Sequence, residues 1–302
     1  MTPARDRPSQ PTRPVAAPRL PSADQATDLF RRAAEANRND PLRDGNLLRF
    51  PDYGQLVMTG DLHGHAANFA KLRRYAMLDR VAARHVLLHE LIHAETAPGE
   101  PDRSHALLLE AARWKLDHPD QVHFLQSNHE LSQLTDHPIL KNGRVVLEDF
   151  RRGVYEGYVP RGEEVYRAIC EFLASFPLAG RTHHRVWVSH SLPAEEDLAD
   201  FDAGVFGRPL CPLDLAPGGP VYRLVWGRRF SPGHLEALAR LFDADFFIVG
   251  HQPQESGSLV AHGRLIILAS DHNHGSFLPV DLARPCTLEY LAGQIQKFVA
   301  VA

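Results

Sequence analysis

Five short polar clusters in the sequence carry the side chains that could do chemistry. Each cluster follows a run of apolar, β-rich residues, which is typical of a loop entered at the end of a buried strand. In open α/β sheets, ligands collect beyond the carboxyl ends of the strands, so these clusters are expected to converge on one site. They are Gly60-Asp61-Leu62-His63-Gly64, His89-Glu90, Ser127-Asn128-His129-Glu130, Ser189-His190 and Gly250-His251.

The donor atoms of these clusters are carboxylate and amide oxygens and imidazole nitrogens, without a thiolate. This donor set suits Mn, Fe or Zn in a catalytic role rather than a structural zinc site. A carboxylate that lies between two cations can bridge them. Two cations about 3.5–4 Å apart can clamp a phosphoryl group and activate a water molecule. The sequence therefore predicts a site for two divalent metal ions.

The elements that must position the clusters alternate between strand and helix in the first half of the chain, which indicates a layered α/β architecture. The residues after a Pro/Gly-rich stretch at 209–220, which we predict to be a loop, are again strand and helix. The predicted strands are 55–59, 85–88, 122–125, 185–188, 246–249, 265–269 and 277–280. The predicted helices are 23–36, 66–78, 103–116, 163–176 and 232–241, the first of them capped by Ser22.

Composition limits the classes of protein and partner. The formal net charge of −4 gives no global basic field for nucleic acid, and no segment is apolar for long enough to span a membrane. Three widely spaced Cys residues suggest free thiols in a reducing, cytoplasmic compartment rather than a disulfide framework. We predict a disordered Pro/Arg-rich tail at 1–22, a helix and linker at 23–44, one domain at 45–285 and an extension at 286–302.

Four of the clusters resemble, in order, the motifs of one superfamily. Gly60 to Gly64 is similar to GDxHG, Ser127 to Glu130 to GNHE with Ser in place of Gly, and the clusters at His190 and His251 to its two later His motifs. The superfamily is that of the calcineurin-like metallophosphoesterases, specifically its phosphoprotein phosphatase branch. That branch includes bacterial-type serine/threonine phosphatases and diadenosine tetraphosphatases. The resemblance implies a layered α/β/α sandwich with mixed sheets.

The resemblance also implies roles for individual residues. It implies hydrolysis of phosphomonoesters, including phosphoserine or phosphothreonine in proteins, by direct attack of a water activated by two metal ions. His129 matches the general acid that protonates the leaving group. The metal ligands would be Asp61 and His63 for one ion, Asn128, His190 and His251 for the other, and Glu90 between them. Candidate substrate-binding residues are Arg228, His93 and His274.

The second motif departs from the family pattern. The family has GDxxDRG after its second strand, whereas this chain has His89-Glu90-Leu91-Ile92-His93-Ala94. Glu90 then takes the place of the bridging Asp, and its additional methylene shifts the carboxylate outward. His93 replaces the Asp that orients the general acid, and Ala94 replaces an Arg that forks onto phosphate. We expect a less effective general acid, because a neutral imidazole cannot stabilise a protonated His129 as a carboxylate does.

Three alternatives remain open from the sequence. His89 to His93 also reads HExxH, which on a helix over 86–95 would bind one zinc, with Glu110 as a third ligand, as in a metallopeptidase. A dinucleoside polyphosphate hydrolase would share the motifs of the phosphatase. A phosphatase-like binding protein without activity would share its fold. The content of bound metal distinguishes the first and last of these from a two-metal phosphatase.

Overall fold

A computed structural model of the chain describes residues 20–141 and 144–301, with backbone alone at 141 and 144. The tail predicted at 1–22 lies, apart from its last three residues, outside the described residues. The strands are β1 (Arg43–Asp44), β2 (Leu47–Phe50), β3 (Gln55–Asp61), β4 (Arg84–His89), β5 (Val122–Leu125), β6 (Leu140–Lys141), β7 (Arg144–Val145), β8 (Ala179–Thr182), β9 (Val186–Ser189), β10 (Phe246–Val249), β11 (Ser258–Ala261), β12 (Leu265–Leu268), β13 (Ser276–Asp281) and β14 (Gln296–Lys297). The α-helices are α1 (Ala23–Arg38), α2 (Ala66–Ala76), α3 (His105–Asp117), α4 (Asn128–Thr135), α5 (Val146–Gly157), α6 (Gly162–Leu173), α7 (Pro212–Leu215), α8 (Pro220–Trp226), α9 (Pro232–Phe242) and α10 (Leu288–Gln294). Short 3₁₀ turns occupy Glu195–Asp200, Ala203–Phe206 and Phe298–Ala300.

Two mixed sheets form the centre of the fold. One has the strand order β14-β13-β3-β4-β5 and the other β1-β2-β8-β9-β10-β12-β11, while β6 and β7 pair as a separate two-stranded antiparallel sheet. Strands β3, β4 and β5 are parallel neighbours, as are β9, β10 and β12. Parallel neighbours end at the same edge of a sheet. The predicted layered α/β sandwich with mixed sheets is confirmed.

Apolar side chains fill three layers around these sheets. The inner faces of the two sheets enclose one core, to which β3 contributes Leu56 and Met58 and β10 contributes Ile248. Helices α1, α2, α3, α5 and α6 cover the outer face of the five-stranded sheet, and α8 and α9 cover that of the seven-stranded sheet. Strands buried on both faces read as continuous apolar runs, which is why β4, β5 and β10 could be predicted.

Both flanking segments pack onto the described fold. Helix α1 begins at a capping box, in which Ser22 Oγ accepts from Gln25 N and Gln25 Oε1 accepts from Ser22 N, and this confirms the predicted cap. Its Phe30 is buried in the core between the helices and the outer face of the five-stranded sheet. At the other end, β14 pairs with β13, and Phe298 is buried in the same core. The domain boundaries at 45 and 285 stay predictions.

The predicted loop at 209–220 is wrong in part. Helix α7 lies inside it, and α8 begins at its last residue, Pro220. Proline at the first helical position is favoured because it has no N–H to leave unpaired, so Pro212 and Pro220 start helices here rather than prevent them. Among the described residues, no helix combines the length and the apolar character that crossing a membrane requires.

Candidate metal and catalytic site

Strand ends bring the predicted site residues to one place. Asp61 ends β3 and His89 ends β4. His190 directly follows β9, and His251 is the second residue after β10. Asn128 begins α4 shortly after β5. A cavity of about 470 Å³ lies over these ends, and its wall includes Asp61, His63, Glu90, Asn128, His129 and His251.

Four of these side chains, which we name the tight donor group, point their donor atoms at one another: Glu90, Asn128, His190 and His251. His190 Nε2 lies 2.6 Å from Asn128 Oδ1, 2.9 Å from Glu90 Oε2 and 3.0 Å from His251 Nδ1. His251 Nδ1 lies 3.0 Å from Asn128 Oδ1. His190 Nε2 thus lies within 3.0 Å of one donor atom from each of the other three residues, and the donor atoms of Glu90, His190 and His251 lie within 4.8 Å of one another.

The tight donor group fits a divalent cation. Ligands about 2.1 Å from one ion at right angles to each other are about 3.0 Å apart, close to the separations seen here. Burial lowers the pKa of His190 far below its usual range and that of His251 to about 3, so both rings are neutral and carry a lone pair. A neutral imidazole carries one proton, so the two rings cannot supply a hydrogen bond to every oxygen and nitrogen lone pair that faces the centre of the group. A single cation at that centre would accept all of these lone pairs.

A second set, which we name the open donor group, comprises Asp61, His63 and Glu90. Glu90 Oε1 lies 3.4 Å from His63 Nε2, while its Oε2 faces His190, so the two carboxylate oxygens turn toward different groups. His63 Nδ1 is 3.0 Å from the carbonyl of Ile92, an arrangement that puts the ring proton there and leaves Nε2 as a donor toward a metal. Asp61 Oδ1 accepts from the backbone N–H of His251 at 2.9 Å.

Burial raises the pKa of Asp61 to about 7, although the hydrogen bond from His251 N works in the opposite direction. Desolvation disfavours a buried carboxylate unless a positive charge accompanies it. Asp61 and His190 also lie close, with Oδ1 and Nδ1 3.6 Å apart. Asp61 is thus a buried carboxylate whose ionised form a nearby cation would stabilise.

The backbone of the site is held in unusual conformations. Nine residues other than glycine have positive φ in the described part of the chain, and four of them are His63, Glu90, His93 and His251. Such conformations cost free energy and tend to cluster at functional sites. The backbone also approaches the donors closely: a Cβ on Gly250 would lie 2.2 Å from Asp61 Oδ1, so only glycine fits there.

His129 lies on the cavity wall, between Glu90 and His93. Its Nε2 is 3.2 Å from Glu90 Oε1, and its Nδ1 is 2.8 Å from Nδ1 of His93. His93 itself has no exposed surface and reaches Gln133 Oε1 through Nε2 at 2.9 Å. The structure thus places His93 behind the proposed general acid and not on the cavity wall, where a substrate-binding residue would have to lie.

The other predicted substrate-binding residues differ in position. Arg228 is exposed and lines the cavity, and its positive charge lowers the pKa of Asp61. His274 is exposed but does not line the cavity, whereas Asp271 of the same loop does. One wall is aromatic: Trp226 stacks on Tyr222, with ring centroids 5.4 Å apart. Tyr222 was missed because an isolated aromatic residue in a sequence carries no sign of a site.

Comparison with solved structures finds phosphatases that share the fold of this chain. A protein serine/threonine phosphatase from Saccharomyces cerevisiae, with similarity to human phosphatase PP5, superposes with a TM-score of 0.65 at 16% identity, over 94% of this chain and 91% of that one. A cold-active protein-tyrosine phosphatase from Shewanella sp. gives 0.54 at 16% identity, over 87% and 84%. This chain has the calcineurin-like phosphoesterase fold. The sequence matches no protein-family model and no curated protein.

The helix that the peptidase alternative needs does not form on this phosphoesterase fold. Residues up to His89 are strand, and the segment from there to His93 has no helical residue. His89 turns its Nε2 to the carbonyl of Thr59, and His93 turns toward His129, so the two rings do not share a face. Glu110 pairs with Arg113 on α3 at 2.6 Å instead of joining them.

His89 has a position that sequence reasoning did not predict. It is fully buried, and its Nδ1 has no hydrogen-bond partner and lies 4.0 Å from Asp61 Oδ1. Burial lowers the pKa of the ring to about 4, so it is neutral. Asp61, His89 and His190 together offer three donor atoms within 4.8 Å of one another. Where the phosphoesterase motif has a glycine, this chain therefore adds an imidazole beside a predicted ligand.

Glu130 holds the loop that carries Glu90. It is fully buried at the start of α4, and its Oε1 accepts from Leu91 N at 2.9 Å. Ser127, the cap of α4, donates from its hydroxyl to the other carboxylate oxygen. Sequence reasoning placed Glu130 in a polar cluster without assigning it this task. Its contacts fix the backbone next to Glu90, which a long, flexible Glu side chain requires if it is to reach both donor groups.

Proposed function

We propose that the chain is a metal-dependent phosphomonoesterase that uses two divalent cations, of Mn, Fe or Zn. The observation that carries the proposal is the tight donor group beside the cavity, in which His190 Nε2 lies 2.6–3.0 Å from a donor atom of Asn128, Glu90 and His251. When bound, a pair of such cations would lower the pKa of a water molecule and neutralise phosphoryl oxygens. The phosphatases that share the fold support the same class of reaction.

Each donor group then has one cation to hold. Asn128, His190 and His251 would bind the first, Asp61 and His63 the second, and Glu90 would give one oxygen to each. The division of the Glu90 carboxylate between His63 and His190 supports this bridging role. A Glu reaches further than an Asp, and the two oxygens of Glu90 reach His63 on one side and His190 on the other.

Two residues act on the substrate itself. His129, with Nε2 on the cavity side, would give a proton to the leaving oxygen as a general acid. Arg228, which also lines the cavity, would contact the phosphoryl oxygens in place of the phosphate-binding Arg that Ala94 replaces in the family pattern. A guanidinium suits this task because its planar fork can make two parallel hydrogen bonds to a phosphate.

The substrate class we propose is the phosphorylated side chain of a protein, phosphoserine or phosphothreonine first. Two neighbours of the same fold are described as a serine/threonine and a tyrosine phosphatase, which supports a protein substrate. The aromatic wall of Tyr222 and Trp226 offers an apolar surface beside the phosphate position. A dinucleoside polyphosphate would use the same wall to stack a base, so it is the competing substrate in the test.

The experiment combines metal analysis with a panel of substrates. The protein, stripped of metal and reloaded with Mn, should bind two ions and hydrolyse an aryl phosphate and phosphopeptides faster than a dinucleoside tetraphosphate. Asp61→Ala and His251→Ala should each lose activity by about 10³-fold or more and bind fewer ions. His118→Ala, at the end of α3 and away from the cavity wall, is the control. Uptake of a single zinc with peptide cleavage, or no uptake and no hydrolysis, would overturn the proposal.

A further inference from the structure

A chain of hydrogen bonds leads from the cavity into the core, and we name it the histidine relay. His129 Nδ1 lies 2.8 Å from His93 Nδ1, and His93 Nε2 lies 2.9 Å from Gln133 Oε1. Gln133 Nε2 donates to Tyr166 Oη at 2.6 Å, and Arg151 Nη2 donates to the same oxygen at 3.1 Å. Gln133 and His93 are buried, so solvent does not compete for these bonds.

The direction of the protons follows from the far end of the relay. Arg151 can only donate, so one lone pair of Tyr166 Oη accepts its proton. The hydroxyl proton of Tyr166 has an acceptor in the backbone carbonyl of Gln133 at 3.5 Å. The remaining lone pair of Oη takes the amide proton of Gln133, which turns Gln133 Oε1 toward His93. An amide oxygen only accepts, so the proton between them belongs to His93 Nε2.

This direction determines what His93 offers to His129. A neutral imidazole with its proton on Nε2 has a lone pair on Nδ1, and that lone pair faces Nδ1 of His129. His129 therefore donates from Nδ1, and its ring is held with Nε2 on the cavity side. We propose that His93 is a positioning residue, fixed in one tautomer by Gln133, that takes the place of an acidic partner in orienting the general acid His129.

The surroundings of His93 support a fixed ring. Its backbone N–H donates to Ser104 Oγ at 3.1 Å, and Ser104 in turn donates to the buried Asp102. Its ring packs edge-on against Phe150, with centroids 5.6 Å apart. A carboxylate would attract the protonated form of His129 by charge, whereas His93 selects the orientation of the ring without charge. The sequence-based expectation of a less effective general acid concerns this missing charge, whereas the present proposal concerns the orientation of the ring.

The inference rests on the proposed function, in which the leaving group needs a proton. Water forms the new bond to phosphorus, the bond from phosphorus to the leaving oxygen breaks, and that oxygen takes the Nε2 proton of a doubly protonated His129, which keeps its Nδ1 proton donated to His93. The proton that the attacking water gives up restores His129 for the next turnover. An ester with a strongly acidic leaving group needs no such proton, so the relay matters for poor leaving groups alone.

The test compares phenyl phosphate, which has a poor leaving group, with 2,4-dinitrophenyl phosphate, which has a good one. His93→Phe keeps a ring of similar shape and removes the acceptor. We expect it to lower kcat/KM by about 10²-fold on phenyl phosphate and by less than about 10-fold on the dinitrophenyl ester. Gln133→Leu should show the same selectivity with a smaller loss. His93→Asp should restore the activity on phenyl phosphate because a carboxylate also accepts from His129 Nδ1.

The control is His105→Phe, because His105 is a buried histidine that packs on the same Phe150 outside the relay. It should leave the ratio of the two substrates unchanged. An equal loss on both esters in His93→Phe, at unchanged metal content, would overturn the proposal, since a merely structural role predicts that result. If that variant does not fold, the Gln133→Leu ratio decides in its place.

A spectroscopic measurement separates this inference from the proposed function. Long-range ¹H–¹⁵N correlation spectra of the full-length protein report which ring nitrogen of a histidine carries the proton. We expect His93 as the Nε2–H tautomer, and a mixture of tautomers in Gln133→Leu. An Nδ1–H tautomer for His93 would contradict the relay even in an active enzyme. If the parent protein hydrolyses no phosphoester, the proposed function fails, and the tautomer still tests the relay.

Discussion

Buried histidines cluster at both ends of the same parallel strands, and the two clusters differ in their charge. Strand β4 starts near His85 and ends at His89, and β5 carries His123 near its start. At the amino end, His85 Nδ1 lies 3.1 Å from His123 Nε2, and His123 Nδ1 lies 2.7 Å from Asp40 Oδ2. Lys115, fully buried, donates to the same carboxylate at 2.8 Å.

A Lys ammonium contacts the carboxylate of the amino-end cluster, whereas the close ionisable contacts of Asp61 in the carboxyl-end cluster are the rings of His89 and His190. The ammonium of Lys115 balances Asp40, and the pKa of Asp40 is lowered because its hydrogen bonds and charge interactions with His123 and Lys115 outweigh burial. At the carboxyl end, Asp61 faces neutral imidazoles, and its pKa is raised to about 7 by burial. A buried carboxylate that is paired with a buried ammonium is already neutralised and serves the stability of the fold. A buried carboxylate that faces neutral rings is stabilised in its ionised form by a bound cation, and this difference separates a packing network from a metal site.

Exchange of the Glu90 carboxylate for an amide should give the largest effect. Glu90→Gln keeps the shape of the side chain and removes the charge that both donor groups share. We expect phosphatase activity to fall by about 10³-fold, equivalent to about 4 kcal/mol of transition-state stabilisation, with little change in the free energy of unfolding without metal. Activity assays together with metal analysis by mass spectrometry check this.

Glu90→Asp is the matched control for that substitution. It keeps the charge and restores the shorter family side chain, so we expect activity to be retained or raised. Equal activity of the parent and Glu90→Gln would show that this carboxylate bridges nothing. Failure of Glu90→Asp alone would show that the longer side chain is needed by this loop, without affecting the need for a charge.

Removal of Asp40 should affect stability rather than chemistry. Asp40→Ala leaves the ammonium of Lys115 buried without its carboxylate, and the loss of one partner of a buried ion pair costs about 3–5 kcal/mol. Urea unfolding should show this decrease, while the number of bound metal ions stays the same. Lys115→Met together with Asp40→Leu removes both charges and should recover most of the stability. A fall in metal content in Asp40→Ala at temperatures where it remains folded would contradict the division between the two clusters.

Acid should destabilise the metal-free protein through histidines at both ends. Burial lowers the pKa of His85 and of His89 to about 4, from a usual 6.5. The unfolded chain binds more protons than the folded one between these values. The free energy of unfolding is therefore not reduced by these rings above pH 6.5. It falls as the pH drops toward 4, by on the order of 3 kcal/mol for each ring. Urea midpoints measured from pH 8 to pH 4 check this, and a flat profile would contradict it.

Metal should make the two ends respond differently to pH. A cation binds the ionised form of Asp61, so binding releases the proton that Asp61 holds below its raised pKa of about 7. The increase in Tm on addition of Mn should thus be larger at pH 8 than at pH 6. His85→Gln should reduce the acid sensitivity of the metal-free protein without changing this increase. An increase that is independent of pH would argue against Asp61 as a ligand.

The order of the polar clusters could be read from the sequence, while the partners that orient them could not. Strand β5 was predicted at its observed bounds because a strand that is buried on both faces is a continuous apolar run. Strand β8, Ala179–Thr182, was missed since its sequence has no apolar pattern and pairing with β2 and β9 makes it a strand. The contact of His93 with Gln133 spans 40 positions and depends on a positive φ in a loop, which no local pattern encodes.

The smallest effect concerns the one guanidinium that we assign to the carboxyl-end site. Arg228 lies exposed on the cavity wall, and its charge is shared with solvent, so it should add to substrate binding without being essential to the chemistry. We expect Arg228→Ala to raise KM for a phosphomonoester by about 10-fold, or about 1.4 kcal/mol, with a smaller change in kcat. Arg228→Lys should recover part of this, because an ammonium keeps the charge and loses the fork. Arg229→Ala is the matched control, since the neighbouring exposed Arg229 does not line the cavity. An equal rise in KM for Arg228→Ala and Arg229→Ala would mean that substrate binding depends only on the net positive charge of this surface and not on a contact with Arg228. In that case the carboxyl-end cluster would bind the phosphoryl group through its cations alone.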